Sequence, residues 1–159
     1  MNLNIAETVM NQVYKQTLEF IKSAHDGQMY GDKEYWTHPV AVAKLVRKLG
    51  GSDDAILAAL MHDVVEDTDY SLNDLTNMGY SKSVVDIVNL LTKRPGSYQE
   101  NIQRIINSGN KDAMIVKLAD NIINMSGDKS HMSHERRERL LKKYDMPIRM
   151  LSEALGLRP

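Results

Sequence analysis

Cysteine is absent from this 159-residue chain, which removes both disulfides and thiolate metal sites from consideration. Its absence fits a reducing, cytoplasmic setting. No stretch approaches the roughly 18 consecutive apolar residues that a membrane-spanning helix needs, so no membrane partner is expected. The first ten residues, Met1 to Met10, lack a basic segment followed by an apolar one, which argues against a signal peptide. An excess of positive charge is also missing. Lys and Arg number 20 against 21 Asp and Glu, for a formal charge of −1, whereas a sequence-independent nucleic-acid binder carries a basic surplus. One Phe and one Trp leave little for a base-stacking platform. A small anionic substrate remains open, because it needs only a local cluster of cations.

Helical periodicity dominates, and no sustained strand-like alternation interrupts it. The pattern predicts a first helix from about Ile5 to His25 and a polar loop over Asp26 to Thr37. Thr37 is the expected N-cap of a second helix, His38 to Leu49, with Pro39 at its tolerant start and Gly50-Gly51 at its end. A third helix is expected from near Ser52 or Asp53, carrying Ile56, Leu57, Leu60, Met61 and Val64 and running on through His62 to Asp67. Ser71 and Asp74 cap a short helix to Met78, which Gly79 closes. Further helices are expected over Ser81–Thr92, Tyr98–Asn107, Lys111–Met125 and about Glu135–Leu155. The break at Arg94–Ser97 and the polar segment Ser126–Ser133 separate the last ones. The expectation is one all-α domain over residues 1–159, a compact bundle of about 7–8 helices, long enough to bury roughly 70% of its unfolded surface.

Three polar interruptions of apolar helices carry the chemistry. The first is His62-Asp63-Val64-Val65-Glu66-Asp67, directly after the apolar run Ala55 to Met61. On a continuous helix His62 would share a face with Glu66, and Asp63 with Asp67. A solvated acidic face is the ordinary explanation for such a cluster. Against it, the preceding run marks a central helix, where a His-Asp pair and two more acids are costly unless a cation or firm hydrogen bonds compensate. The second interruption is Asp120 with Asn124, inside Ile115 to Met125. The third is His38 at a helix start. Each alone is more often a structural group or a cap. Together, two imidazoles and two carboxylates from three helices suit a first-row divalent ion with positions left for water and substrate. Carboxylates favour manganese or magnesium; the imidazoles extend the choice to iron, cobalt, nickel or zinc. Glu66 and Asp67 then remain to orient or deprotonate a bound water.

The order His38, His62-Asp63, Asp120 resembles the HD phosphohydrolase superfamily. The finer pattern is similar to the hydrolase domain of the Rel/SpoT alarmone enzymes and their stand-alone small relatives. It rests on Tyr35-x-x-His38-Pro39-Val40, on His62-Asp63-x-x-Glu66-Asp67-Thr68 and on Leu118-Ala119-Asp120-x-x-x-Asn124-Met125, and runs from about Ala24 to Leu157. This resemblance implies one divalent ion, most often manganese, held by His38, His62, Asp63 and Asp120. It implies that Glu66 and Asp67 handle the attacking water and the pyrophosphate, and that Asn124 contacts a small-molecule nucleotide. The implied reaction is removal of the 3′-diphosphate from guanosine tetra- or pentaphosphate. The alternative is an HD nucleotide phosphohydrolase of other specificity, or a non-catalytic nucleotide-binding regulator.

The sequence departs from that pattern on the substrate side. The loop before His38 reads Met29-Tyr30-Gly31-Asp32 where the family carries an Arg-Lys pair, which leaves Lys33, with Tyr35, as the local candidate substrate contacts. Asn121 and Ser126 stand where Arg is common. Lys93-Arg94 and the cations Arg136, Arg137, Arg139, Lys142 and Lys143 are alternative sources of charge. The ordinary expectation for the last group is a solvated face paired as Glu135–Arg139 and Glu138–Lys142. Lys117 is close in sequence to Asp120 without a settled direction, and Trp36 is either core or the wall of a base pocket. No room for a synthetase follows Pro159, so hydrolysis without alarmone synthesis is expected. The small size is compatible with a homo-oligomer, though no interface is readable.

Overall fold

A computed structural model describes residues 2–127 and 129–157. Asp128 therefore lies outside the described part of the polar segment expected at Ser126–Ser133. The fold is all-α, with nine helices among the described residues. They are α1 (Asn2–Ala24), α2 (Thr37–Lys48), α3 (Asp53–Leu60), α4 (Val64–Asp67), α5 (Leu72–Asn77), α6 (Lys82–Leu91), α7 (Tyr98–Asn107), α8 (Lys111–Ser126) and α9 (His134–Ala154).

Local chemistry sets most of these boundaries. Ser52, Ser81, Asn110 and Ser133 each accept a hydrogen bond from a backbone N–H in the first turn of the helix that follows. Ser71–Asp74 and Ser97–Glu100 form reciprocal capping boxes at α5 and α7. Thr37 departs from expectation. The N-cap of α2 is Trp36, without a side-chain bond to the helix. The Thr37 hydroxyl instead donates backwards to the Glu34 carbonyl at 2.7 Å and pins the preceding loop. That loop holds a minimal antiparallel ribbon, β1 (Met29–Tyr30) against β2 (Lys33–Glu34), turned at Gly31 with φ of 63°. Two residues per strand are too few to show alternation in the sequence.

Helix α3 is the hub. Every residue from Ala55 to Leu60 is buried, and α1, α2, α6 and α8 all pack on it. Its apolar run thus finds the central place expected of it. Helices α2 and α8 also pack on each other, which brings the start of α2 and the middle of α8 to the end of α3. Helix α9 covers α7 and α8 and closes the bundle.

The expected single helix through His62 and Asp67 is instead two. The imidazole Nδ1 of His62 donates to the Ala59 carbonyl at 2.7 Å. In an uninterrupted helix that carbonyl would serve the Asp63 amide. Met61 leaves helical geometry, at φ −105° and ψ 9°, and Val64 N bonds back only three residues, to Met61 O. Helix α4 then restarts from Asp63.

Candidate metal centre

The break between α3 and α4 changes what His62 and Asp63 can do. Adjacent residues on a helix point apart, yet here His62 Nε2 and Asp63 Oδ2 lie 3.1 Å from each other. Across from them, α8 presents Asp120. Its Oδ1 is 2.8 Å from His38 Nε2 and 3.4 Å from His62 Nε2. His38 occupies the first turn of α2, and His38, His62 and Asp120 are all buried. Donor atoms sharing one ion at bonds of about 2.1 Å stand roughly 3 Å apart, which is the spacing seen.

His62 supplies the sharpest test of fit. Because Nδ1 gives its proton to a carbonyl, the lone pair is left on Nε2. That Nε2 is buried, faces two carboxylates and is aligned in a hydrogen bond with neither. A ring fixed through one nitrogen and bare at the other is the arrangement of a metal-bound histidine. Borderline nitrogen donors with hard oxygens suit a first-row divalent ion. His38 is held differently. It is buried under the Tyr30 ring, stacked at 4.4 Å between centroids, and bonded to Asp120 through Nε2.

Electrostatics tell the same story. Burial pushes the His62 pKa down, but the charges of Asp63 and Asp120 outweigh it and hold it well above 6.5. Burial pushes Asp120 up, yet the hydrogen bond of His38, the nearby His62 with its charge and the Lys117 ammonium keep it well below the usual carboxylate range. For Asp63 the same contest, burial against His62, ends at about 2. The site is built to favour positive charge at His62 Nε2, whether a proton or a cation. A cation must displace the proton, so apparent metal affinity should rise about tenfold per pH unit for one proton released. Competition with a chelating dye between about pH 6 and 8 checks this, and a flat profile would contradict it. Without metal, His62 contributes stability below about 6.5 that is lost as pH rises through its folded value. Asp63 contributes stability above 3.8 that is lost as pH falls toward about 2.

The other acids stand beside the centre. Carboxylate oxygens of Asp63, Glu66 and Asp67 lie within 4.8 Å of one another. Glu66 Oε1 accepts from the Lys93 amide at 2.7 Å, and the Asp67 carbonyl accepts from Gln28 at 3.0 Å. Partial burial, Asp63 and Glu66 raise the Asp67 pKa. Gln28 also holds His25, whose ring lies 4.6 Å from that of Tyr35. Tyr35 in turn donates its hydroxyl to Asp63. Asn124 accepts from the Tyr30 hydroxyl at 2.6 Å and donates to Asp120 Oδ1 at 3.3 Å. Lys33 alone of the named residues stays apart, exposed on β2 and outside both the metal cluster and the cavity described next.

A cavity of about 290 Å³ opens on the centre, with Asp63, Glu66, Lys93, Tyr98, Lys117 and Lys143 in its wall. Lys117, whose direction the sequence left unsettled, points in. Its Nζ is 3.5 Å from Asp120 Oδ2, and the i, i+3 spacing was the available signal. Its charge is kept because Asp120 outweighs burial. Lys143 is exposed, as expected of that face, and also borders the cavity, with its ammonium 5.2 and 5.3 Å from the ring centres of Tyr98 and Tyr144. Among the described residues neither Glu135–Arg139 nor Glu138–Lys142 pairs, and Glu138 meets His134 at 4.0 Å. Asn121 also departs from expectation. It is fully buried, bonded to Tyr98 and to the Lys117 carbonyl, and so lies behind the cavity wall rather than on the substrate side. Trp36 donates to Glu34 and lines a second cavity, of about 360 Å³, with Lys22 and His25.

Residues 17–145 match the HD domain family. The chain belongs to that family. Among relatives of this HD domain is a guanosine-3′,5′-bis(diphosphate) 3′-pyrophosphohydrolase of Haemophilus influenzae, 36% identical over 115 residues, which cover 65% of this chain and 17% of that protein. A probable enzyme of the same name from Synechocystis sp. is 36% identical over 132 residues, 77% of this chain and 17% of the relative. The bifunctional (p)ppGpp synthase/hydrolase SpoT of Escherichia coli K12 is 32% identical over 122 residues, 70% and 17% of the two chains. The HD domain chain thus spans 17% of the length of these relatives. A solved structure, described as a metazoan ortholog of SpoT that hydrolyzes ppGpp, superposes with a TM-score of 0.65 at 23% identity, covering 91% of this chain and 96% of that one. It establishes the shared fold. No helix among the described residues is long and apolar enough to cross a membrane.

Proposed function

We propose that this HD domain hydrolyses guanosine tetra- and pentaphosphate at the 3′ position and releases the diphosphate. The observation that carries the proposal is the adjacency of two built features. Donor atoms of His38, His62 and Asp120 lie within 4.8 Å of one another, with Asp63 Oδ2 3.1 Å from His62 Nε2, and the cavity beside them is lined by Lys93, Lys117 and Lys143 together with Asp63 and Glu66. The names of the curated relatives point to the same substrate class. We assign the four convergent residues to a divalent ion, manganese in particular. When bound, such an ion acts as a Lewis acid on phosphoryl oxygen and lowers the pKa of water.

The chain's own groups do the rest. Asp67, whose pKa is raised by partial burial and by Asp63 and Glu66, is suited to accept the proton of the attacking water. Glu66 keeps Oε2 free beside Asp63 while its Oε1 is fixed by the Lys93 amide. Lys117 and Lys143 meet the charge of the diphosphate and of the group that leaves. Tyr35 orients Asp63, and Asn124 orients Asp120. A reducing, cytoplasmic location accords with the lack of cysteine.

The deciding experiment incubates manganese-loaded protein with a panel of nucleotides and resolves products by chromatography. Pyrophosphate should appear from guanosine 3′,5′-bis(diphosphate). Because β1–β2 supplies no Arg and leaves Lys33 exposed, base discrimination should be weak, with adenosine counterparts cleaved within about an order of magnitude. Lys143→Gln should raise KM about tenfold or more, the effect of one charge-assisted hydrogen bond. Cleavage confined to 5′-triphosphates would favour the second reading, an HD nucleotidase of other specificity, which the bare hairpin supports.

A further inference from the structure

Helix α4 carries both acids beside the centre, yet it is a single turn, Val64–Asp67, too short to hold its own shape. Two ties from elsewhere in the chain fix it. One is the Lys93 amide on Glu66. The other comes from just past the end of α1, where Gln28 donates Nε2 to the Asp67 backbone carbonyl at 3.0 Å, across 39 residues of sequence. Gln28 is itself held firmly. Its amide donates to the His25 carbonyl at 3.0 Å, and its carbonyl accepts from the Tyr35 amide at 2.9 Å. Its Oε1 lies 2.9 Å from His25 Nδ1. An oxygen there makes Nδ1 the donor and fixes the imidazole tautomer. His25 is buried against the Tyr35 ring, and its Nε2 has no hydrogen-bond partner among the described residues. Neither residue belongs to the metal cluster or to the wall of the lysine-lined cavity.

We propose that Gln28, locked by His25, is a positioning residue for Asp67. The Asp67 carboxylate has no hydrogen bond of its own among the described residues, so its place is set by its backbone. The clamp fixes the last peptide of α4 and with it the stance of that carboxylate toward Asp63 and the attacking water. The proposal rests on the reading of Asp67 as the proton acceptor. Without the clamp the acid is still present, but displaced, and a displacement of about 1 Å can lower a rate about 100-fold. The two bonds of the Gln28 side chain go to His25 and to a backbone carbonyl, neither of them a metal ligand, so metal binding is spared.

The test uses the full chain loaded with manganese, in wild-type, Gln28→Met, His25→Leu and His25→Asn forms, acting on guanosine 3′,5′-bis(diphosphate). Met fills the space of Gln without its amide. Gln28→Met should lower kcat about 10- to 100-fold, with KM and bound manganese within about twofold of wild type. His25→Leu should do the same. His25→Asn, whose amide can donate from the Nδ1 position, should recover most of the loss. Asn offers nothing in place of Nε2, so failure to recover would make that nitrogen the working atom and overturn the proposal. The sharper comparison is made in Asp67→Asn, where Gln28→Met should change the residual rate less than about twofold. An equal loss in both backgrounds would overturn the proposal and make the clamp a structural tie alone. Amide exchange gives an answer that needs no substrate. Gln28→Met should speed exchange of the Asp67 and Thr68 amides, which close the α4 turn, about 2- to 10-fold, the effect of one net hydrogen bond, and leave α3 and α8 as in wild type. Unchanged exchange in α4 would overturn the proposal. Absence of hydrolysis by the wild type rejects the alarmone reading, while exchange in α4 still decides whether the clamp holds the acid-bearing turn.

Discussion

Glu66→Gln and Asp67→Asn should each lower turnover by about 100- to 10,000-fold while leaving metal content and melting temperature near wild type. Both side chains are exposed, so neither change leaves a hole in the core. The two losses should differ in origin. Asp67 has the raised pKa and, among the described residues, no hydrogen bond to its carboxylate, so its loss removes a proton acceptor. Glu66 is bonded to the Lys93 amide, and Gln can keep that bond through its amide oxygen. Its loss therefore reports charge rather than loop position. Turnover and elemental analysis on the same preparations decide the matter. A variant that loses metal identifies its acid as a ligand, and two fully active variants would return both acids to a solvated face.

Asp120→Ala should be the most damaging single substitution at the centre. It deletes the partner shared by His38, His62 and Lys117, all within 3.5 Å of its carboxylate. Removing one member of a buried charged network leaves the others uncompensated, at about 3–5 kcal/mol. It also removes a ligand, so activity should vanish. Thermal denaturation with and without metal separates the two effects. In wild type at a free metal level about 100 times Kd, the ion should add about 2.7 kcal/mol, and chelation should remove it. In Asp120→Ala the chelator should shift the melting temperature far less. An equal metal-dependent shift in both proteins would exclude Asp120 from the ligand set.

The helical frame was legible because its signals are local. Tyr98–Asn107 and the opening of α8 at Asn110 match the sequence expectation residue for residue, since caps are chosen by neighbours three positions away. The break after Leu60 was not legible. Ala55 to Met61 is apolar across the end of α3, and the interruption depends on which acceptor the His62 ring selects. Residue type and order pointed to His38, His62 and Asp120, which the fold brings into one buried cluster. The directions of Lys117 and Lys143 could not be read in this way, because helical spacing alone does not say which flank another helix will cover. Tyr30 was the least accessible. Its partner is 94 residues away, and the hairpin that carries it has no periodic signature.

The distance along the chain between His38 and Asp120, 82 residues, also fixes when the centre comes into being. No short segment of the unfolded polypeptide holds more than the His62-Asp63 pair, and closing so long a loop is the business of the apolar core. An ion that meets its full set of donors only after α2, α3 and α8 have docked is expected to bind past the rate-limiting crossing of folding. It leaves the speed of folding unchanged and acts on the return journey, because the native state must release it, or drag apart its donors, before the bundle opens. Metal supply then sets how long a finished molecule lasts, and leaves untouched how quickly the next one is made.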